Sequence, residues 1–208
     1  QTNLVWVAYA ALVYLSRDEY KLLSFKAWRD RLAGQTPALI SFGLVFILAL
    51  IFIAINGGIA VGDVEQHTVS LNISNAYFML LVAFCVFLPW HIGQASEIYK
   101  LLRKYPWILL GIVVLAFVYW FSYSHPHQYN SAQLSYYRHN LILNYTADYP
   151  IYKLVAYVAM AWTCLSFATI LLKGANRRAL QLLAPFALLS VIPLPLIEQR
   201  YYLVALSL

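Results

Sequence analysis

The chain has 208 residues, 62% of them hydrophobic, and a formal net charge of +6 carried on only 11% charged residues. A soluble domain averages about 25% charged residues, so this composition excludes an ordinary water-facing globule. The cations stand in short runs between apolar blocks rather than in a stripe interleaved with exposed aromatics, which argues against a nucleic-acid surface and for control of membrane topology.

Apolar blocks follow one another along the chain, several at about the 20-residue length of a membrane span. They run from Leu4 to Leu15, Ala38 to Ile55, Leu71 to Ile92, Trp107 to Tyr123, Ile151 to Leu172 and Ala179 to Ile197, and a last one starts near Tyr201. In lipid a backbone must satisfy its own hydrogen bonds, so each block is expected to be a helix. The fold class expected is all-α, a polytopic membrane helix bundle. Residues 1–208 are read as one transmembrane region of about six spans plus the start of a seventh. The short blocks at both ends suggest a piece of a longer chain.

The loops between blocks carry the orientation. Arg17, Lys21, Lys26, Arg29 and Arg31 fall in the first, Lys100, Arg103 and Lys104 in the third, and Lys173, Arg177 and Arg178 in the fifth. These are alternate loops and share one side, which the positive-inside rule makes cytoplasmic. The intervening loops hold only Arg138, Lys153 and Arg200. Tyr and Trp collect near block ends, where an amphipathic ring suits the interface. Cys85 and Cys164 lie inside apolar blocks as small hydrophobes, without zinc-type spacing.

The opposite face is polar. It receives Asn56 to His67, Ser124 to Tyr149 and Glu198 to Tyr201, and with them four of the five histidines: His67, His125, His127 and His139. A cavity here could hold an anionic headgroup with Arg138 and Arg200, whose planar forks match phosphate. Glu198 and Arg200 could equally be a mutual ion pair at a helix end. Asn56-Gly57-Gly58 could be a helix C-cap and turn. His125-Pro126-His127 lacks a firm third and fourth ligand for a metal. Two sequons, Asn72-Ile73-Ser74 and Asn144-Tyr145-Thr146, fall on the same face. Pro185, Pro193 and Pro195 interrupt the last full block, and such breaks are tolerated in membranes mainly where protein or a cavity covers them.

Several of these segments resemble one family. Asn56-Gly57-Gly58-Ile59-Ala60-Val61-Gly62-Asp63, followed by His67, is similar to the "NGGIVVGD…H" run of the endoplasmic-reticulum α-1,2-glucosyltransferases that use dolichyl phosphate glucose. Gln1-Thr2-Asn3-Leu4-Val5-Trp6-Val7 is similar to that family's "RQTNIIWV". Leu196-Ile197-Glu198-Gln199-Arg200-Tyr201-Tyr202 is similar to its "LLEFRYF", and His125-Pro126 with Arg138-His139 to its "HPYLLADNRHY" loop. Residues 127–137 replace part of that loop, and Val204-Ala205 stands where a proline usually follows. The likeness covers the whole chain as the C-terminal half of the family's length.

The resemblance implies part of a C-superfamily glycosyltransferase that moves glucose from dolichyl phosphate glucose to a lipid-linked oligosaccharide on the lumenal face, forming an α-1,2 linkage with inversion. The partners implied are that donor, that acceptor and membrane lipid, with no cofactor, metal or nucleotide sugar. The general base is expected upstream of the Gln1-Thr2-Asn3 start, so residues 1–208 alone are expected to be inactive. Arg138, His139 and Arg200 are expected to face the donor phosphate, with Glu198 orienting Arg200 and with His125 and Tyr201 in the same donor and acceptor site. Asp63 and His67 are expected to line the lumenal cavity. The competing readings are a transporter or lipid flippase, disfavoured because the spans are nearly free of ionisable groups, and a non-catalytic membrane subunit.

Overall fold

The computed structural model describes residues 2–15, 29, 33–34, 36–57, 70–125, 127, 130, 140–173 and 177–207. Among these the protein is all-α, with no strand. Its helices are α1 (Thr2–Leu15), α2 (Thr36–Asn56), α3 (Ser74–Val86), α4 (Leu88–Gly93), α5 (Ala95–Lys104), α6 (Trp107–Ser122), α7 (Leu141–Asp148), α8 (Pro150–Lys173), α9 (Arg177–Val191) and α10 (Leu203–Ser207). A 3₁₀ turn, Gln199–Tyr202, precedes α10.

Pro37–Asn56 and Pro150–Leu172 are long and apolar enough to cross a membrane, and a third span results if the bent pair α5–α6 is counted as one. Leu4–Leu15, Ser74–Val86 and Ala179–Val191 are shorter apolar helices. The described residues form two compact units, residues 1–68 with 178–190, and residues 69–177 with 191–208.

In the first unit α1 packs on α2, with the rings of Tyr14 and Phe42 6.3 Å apart. Tyr9 donates its hydroxyl to the Ala179 carbonyl at 3.2 Å and sets its ring against Phe186. The outward face of α2, with Ile40, Leu48 and Ile55 all exposed, is apolar over its whole length. A continuous apolar face of this size marks a membrane or protein contact, and the length and composition of α2 suit a membrane span. The helix ends at Asn56, and Gly57 takes φ +71°, the left-handed C-cap conformation that a side chain resists.

In the second unit α8 is the central post, packed against α3, α5, α6 and α7. Its inward seam is small or hydroxylic: Ala156, Ala159, Thr163, Ser166 and Thr169 are all buried, whereas Ile151, Leu154, Val155 and Val158 are exposed. Lipid removes the hydrophobic drive between helices, so close backbone approach and interhelical hydrogen bonds take over. Thr163 Oγ1 donates to Ala159 and approaches the Leu80 carbonyl of α3, and Trp162 Nε1 donates to the His91 carbonyl at 3.0 Å. Ala156→Leu should therefore cost about 1–3 kcal/mol by overpacking the seam. Val158→Leu, on the lipid face, should leave the melting temperature in detergent unchanged. Equal melting of the two variants would refute this orientation of α8.

The elements differ from the sequence expectation in four places. The block Leu71 to Ile92 is two helices, broken at Phe87, because Pro89 cannot donate to the carbonyl one turn back. The basic stretch before Tyr105 is an amphipathic helix, α5, with Ile98 and Leu101 buried, and it meets α6 at 105°. Pro106 pushes Tyr105 out of helical geometry at that corner. Helix α7 stands inside the polar loop, capped by Asn140 Oδ1 accepting from the Leu143 amide at 3.1 Å. The last full block is helical only to Val191, and residues 192–198 are irregular ahead of the 3₁₀ turn.

Candidate functional site

The irregular segment after α9 presents carbonyls that no helix of its own can satisfy, which at membrane depth must be met by protein. Three asparagines and the stretch before α3 meet them. The amides of Ser70 and Asn72 donate to the carbonyls of Pro193 and Ile192, at 3.2 and 2.9 Å. Asn72 Nδ2 donates to Pro195 at 3.1 Å, and Asn75 Nδ2 to Leu194 at 2.8 Å. Asn130 both donates to and accepts from the Ile197 backbone, each bond 3.0 Å long. Tyr202, fully buried, donates to Asn75 Oδ1 at 2.9 Å. The Pro193-Leu194-Pro195 break is thus a built backbone junction.

This junction brings together two of the segments singled out from the sequence. The loop after α6 is tied to the Glu198-Gln199-Arg200-Tyr201 corner by Asn130 on Ile197 and by Gln199 Nε2 donating to Asn140 Oδ1 at 3.3 Å. At the corner Glu198 and Arg200 form an ion pair, and the Arg200 guanidinium lies over the Tyr201 ring, 5.4 Å from its centroid. A hydrogen bond to Tyr201, then the charge of Glu198, raises the Arg200 pKa, so the cation persists at any working pH. Its side chain is 68% exposed, free to reach an anion while Glu198 steers it. His125 is held elsewhere in the same loop, its Nε2 2.8 Å from Asp148 Oδ1. Asp63, His67, Arg138 and His139 lie outside the described residues.

Beside the junction is a groove of about 350 Å³ lined by Ser70, Asn72, Ser74, Ser122, Ser124 and His127, with Leu71, Ile73 and Pro195 as its apolar walls. Ser74 ties its two sides: its Oγ donates to the Ser122 carbonyl at 3.3 Å and accepts from the Ser124 amide at 3.0 Å. The hydroxyls, amide and imidazole, set among apolar walls, could contact a ligand with both polar and apolar faces, as a sugar ring has. None of the described residues expected at the site from sequence lines this groove. His127, from the same loop, does.

The sequence reading missed the asparagine junction and the serine lining. The available signal was a polar cluster, Asn72, Ser74 and Asn75, at the mouth of an apolar block, opposite prolines that free carbonyls. Asn72 and Ser74 are also the ends of a sequon. Asn72 is buried with both ends of its amide bonded, Oδ1 accepting from the Ser74 amide at 3.2 Å, and Asn144 is buried within α7. Glycosylated asparagines are surface residues, and neither of these is exposed in the fold. Endoglycosidase treatment of the folded protein should leave its mass unchanged, and so should Asn72→Gln and Asn144→Gln with respect to glycan mass. A glycan found at either asparagine would contradict the fold there.

A profile of the DIE2/ALG10 family matches residues 20–208. A Candida albicans protein named Dol-P-Glc:Glc(2)Man(9)GlcNAc(2)-PP-Dol alpha-1,2-glucosyltransferase is 23% identical over 229 residues, covering 99% of this chain and 47% of that protein. The chain thus spans about half the length of the curated relative it matches. No solved structure matches it. With nine-tenths of its length inside the family profile, the chain belongs to the DIE2/ALG10 family.

Proposed function

We propose that this chain forms part of a glucosyltransferase that moves glucose from dolichyl phosphate glucose to a lipid-linked oligosaccharide. The acceptor hydroxyl attacks the anomeric carbon on the lumenal face of the endoplasmic reticulum, inverting it to an α-1,2 linkage. The bond to the lipid phosphate breaks, and the phosphate leaves with the electron pair. The polar loops are lumenal and the basic loops cytoplasmic. The chain is one transmembrane region of a C-superfamily enzyme.

The observation that carries this reading is the asparagine junction. It holds an Arg–Glu–Tyr corner and a hydroxyl-lined groove on one protein unit, in a chain of a family with a glucosyltransferase relative. Charge develops on the departing phosphate, and a positioned cation stabilises it most where water is scarce. Arg200 supplies that cation, steered by Glu198. On the family likeness alone, Arg138, His139 and Tyr201 are assigned to the same donor phosphate, and so is His125, whose ring is engaged by Asp148. The groove residues hydrogen-bond sugar hydroxyls. The acceptor hydroxyl needs a carboxylate as general base.

The test is transfer by the whole protein in liposomes. Radiolabel should pass from dolichyl phosphate glucose to the lipid-linked oligosaccharide, and none should pass from a nucleotide glucose. Absence of transfer with both lipid substrates present would overturn the assignment. Movement of labelled lipid across the bilayer without transfer would instead point to a flippase.

A further inference from the structure

Lys153 is one of few cations expected on the polar face, and it has unusual surroundings. It stands near the start of α8 with its ammonium over three rings: 5.9 Å from the Tyr119 centroid, 5.6 Å from Trp120 and 5.9 Å from Tyr123. It donates to the Tyr123 carbonyl at 3.0 Å, its single acceptor among the described residues. Asp148 is within electrostatic reach but forms no ion pair with the ammonium, and its Oδ1 engages His125. Two ammonium donors thus remain for an acceptor on the side away from the rings.

Trp120 and Tyr157 continue downward from Lys153 into an apolar slot of about 420 Å³ along α6, walled also by Ile112, Ala116, Phe117 and Phe121. Tyr157 is one helical turn below Lys153 on α8. Ile112 to Trp120 spans about 12 Å at the helical rise. The slot is apolar along its length, and a cation with spare donors stands at its polar-face end. That sequence of chemistry matches one hydrocarbon chain leading to one phosphate.

We propose that the α6–α8 slot binds an anionic phospholipid, with one acyl chain along α6 and the headgroup phosphate held by Lys153. The aromatic faces hold the ammonium in place, and the phosphate occupies its open side. This site uses none of the residues assigned to glucose transfer, so it stands or falls independently of that activity.

The experiment is native mass spectrometry of the whole protein, purified in detergent and titrated with phosphatidic acid or phosphatidylcholine. The wild type should retain one phosphatidic acid in preference to phosphatidylcholine. Lys153→Met should weaken retention about tenfold, as expected for a lost charge-assisted contact, while Lys153→Arg keeps it. Ala116→Trp should block the slot with the charge untouched. Retention at wild-type strength in both Lys153→Met and Ala116→Trp would overturn the proposal. So would slot-dependent binding of dolichyl phosphate with no slot-dependent binding of phosphatidic acid, which would make the slot a donor seat.

Discussion

Arg200→Ala in the whole protein should lower glucose transfer about a hundredfold, the loss typical of removing one preorganised donor from a developing anion. The expectation rests on the proposed role and on two contacts of an exposed guanidinium: an ion pair to Glu198 and the Tyr201 ring beneath it. Arg200→Lys should recover only part of the rate, because an ammonium is a point charge and cannot fork onto two phosphate oxygens. Glu198→Gln should cost less than Arg200→Ala, since it removes the steering and leaves the cation. The effect should fall on kcat more than on KM if the cation meets charge that forms in the transition state. Because the Arg200 pKa is raised, its charge is present below that pKa and none of its contribution should titrate near neutral pH. Wild-type transfer by Arg200→Ala would remove Arg200 from the site.

Asn75→Leu should be among the most destabilising of the single changes considered. Asn75 is fully buried and bonds at both ends, donating to the Leu194 carbonyl and accepting from Tyr202. Leucine would leave a half-buried carbonyl and a buried hydroxyl without partners, about 1–3 kcal/mol in total. Tyr202→Phe removes only the second bond and should cost less. The double variant should then cost less than the sum, because both changes delete the same contact. Thermal unfolding in detergent measures all three. An Asn75→Leu protein that melts with the wild type would show that the junction carries no load.

Much of this protein was legible one block at a time. The all-α membrane class follows from apolar runs whose backbone lipid cannot satisfy, and α2 and α8 lie where Ala38 to Ile55 and Ile151 to Leu172 were expected. Composition also marked the Pro193-Leu194-Pro195 stretch as a break, and the Glu198–Arg200 pair was one of two readings of that corner. These are local matters, decided within a turn or two of helix by side-chain polarity, proline geometry and charge.

The rest was not local. Nothing in the sequence said that Asn72, Asn75 and Asn130 would bond the irregular segment after α9, because each partner lies 67 to 123 residues away. An asparagine looks alike as a sequon, a cap or a clamp until the carbonyl it meets is known. Nor did it place Lys153 over three rings, since Tyr119 and Trp120 belong to another helix and Tyr123 to its C-cap. The sequence by itself determined that these helices belong in lipid, through burial preferences that each block carries alone. Only the tertiary structure decided which polar groups meet, because a buried hydrogen bond requires donor and acceptor to arrive together from distant parts of the chain.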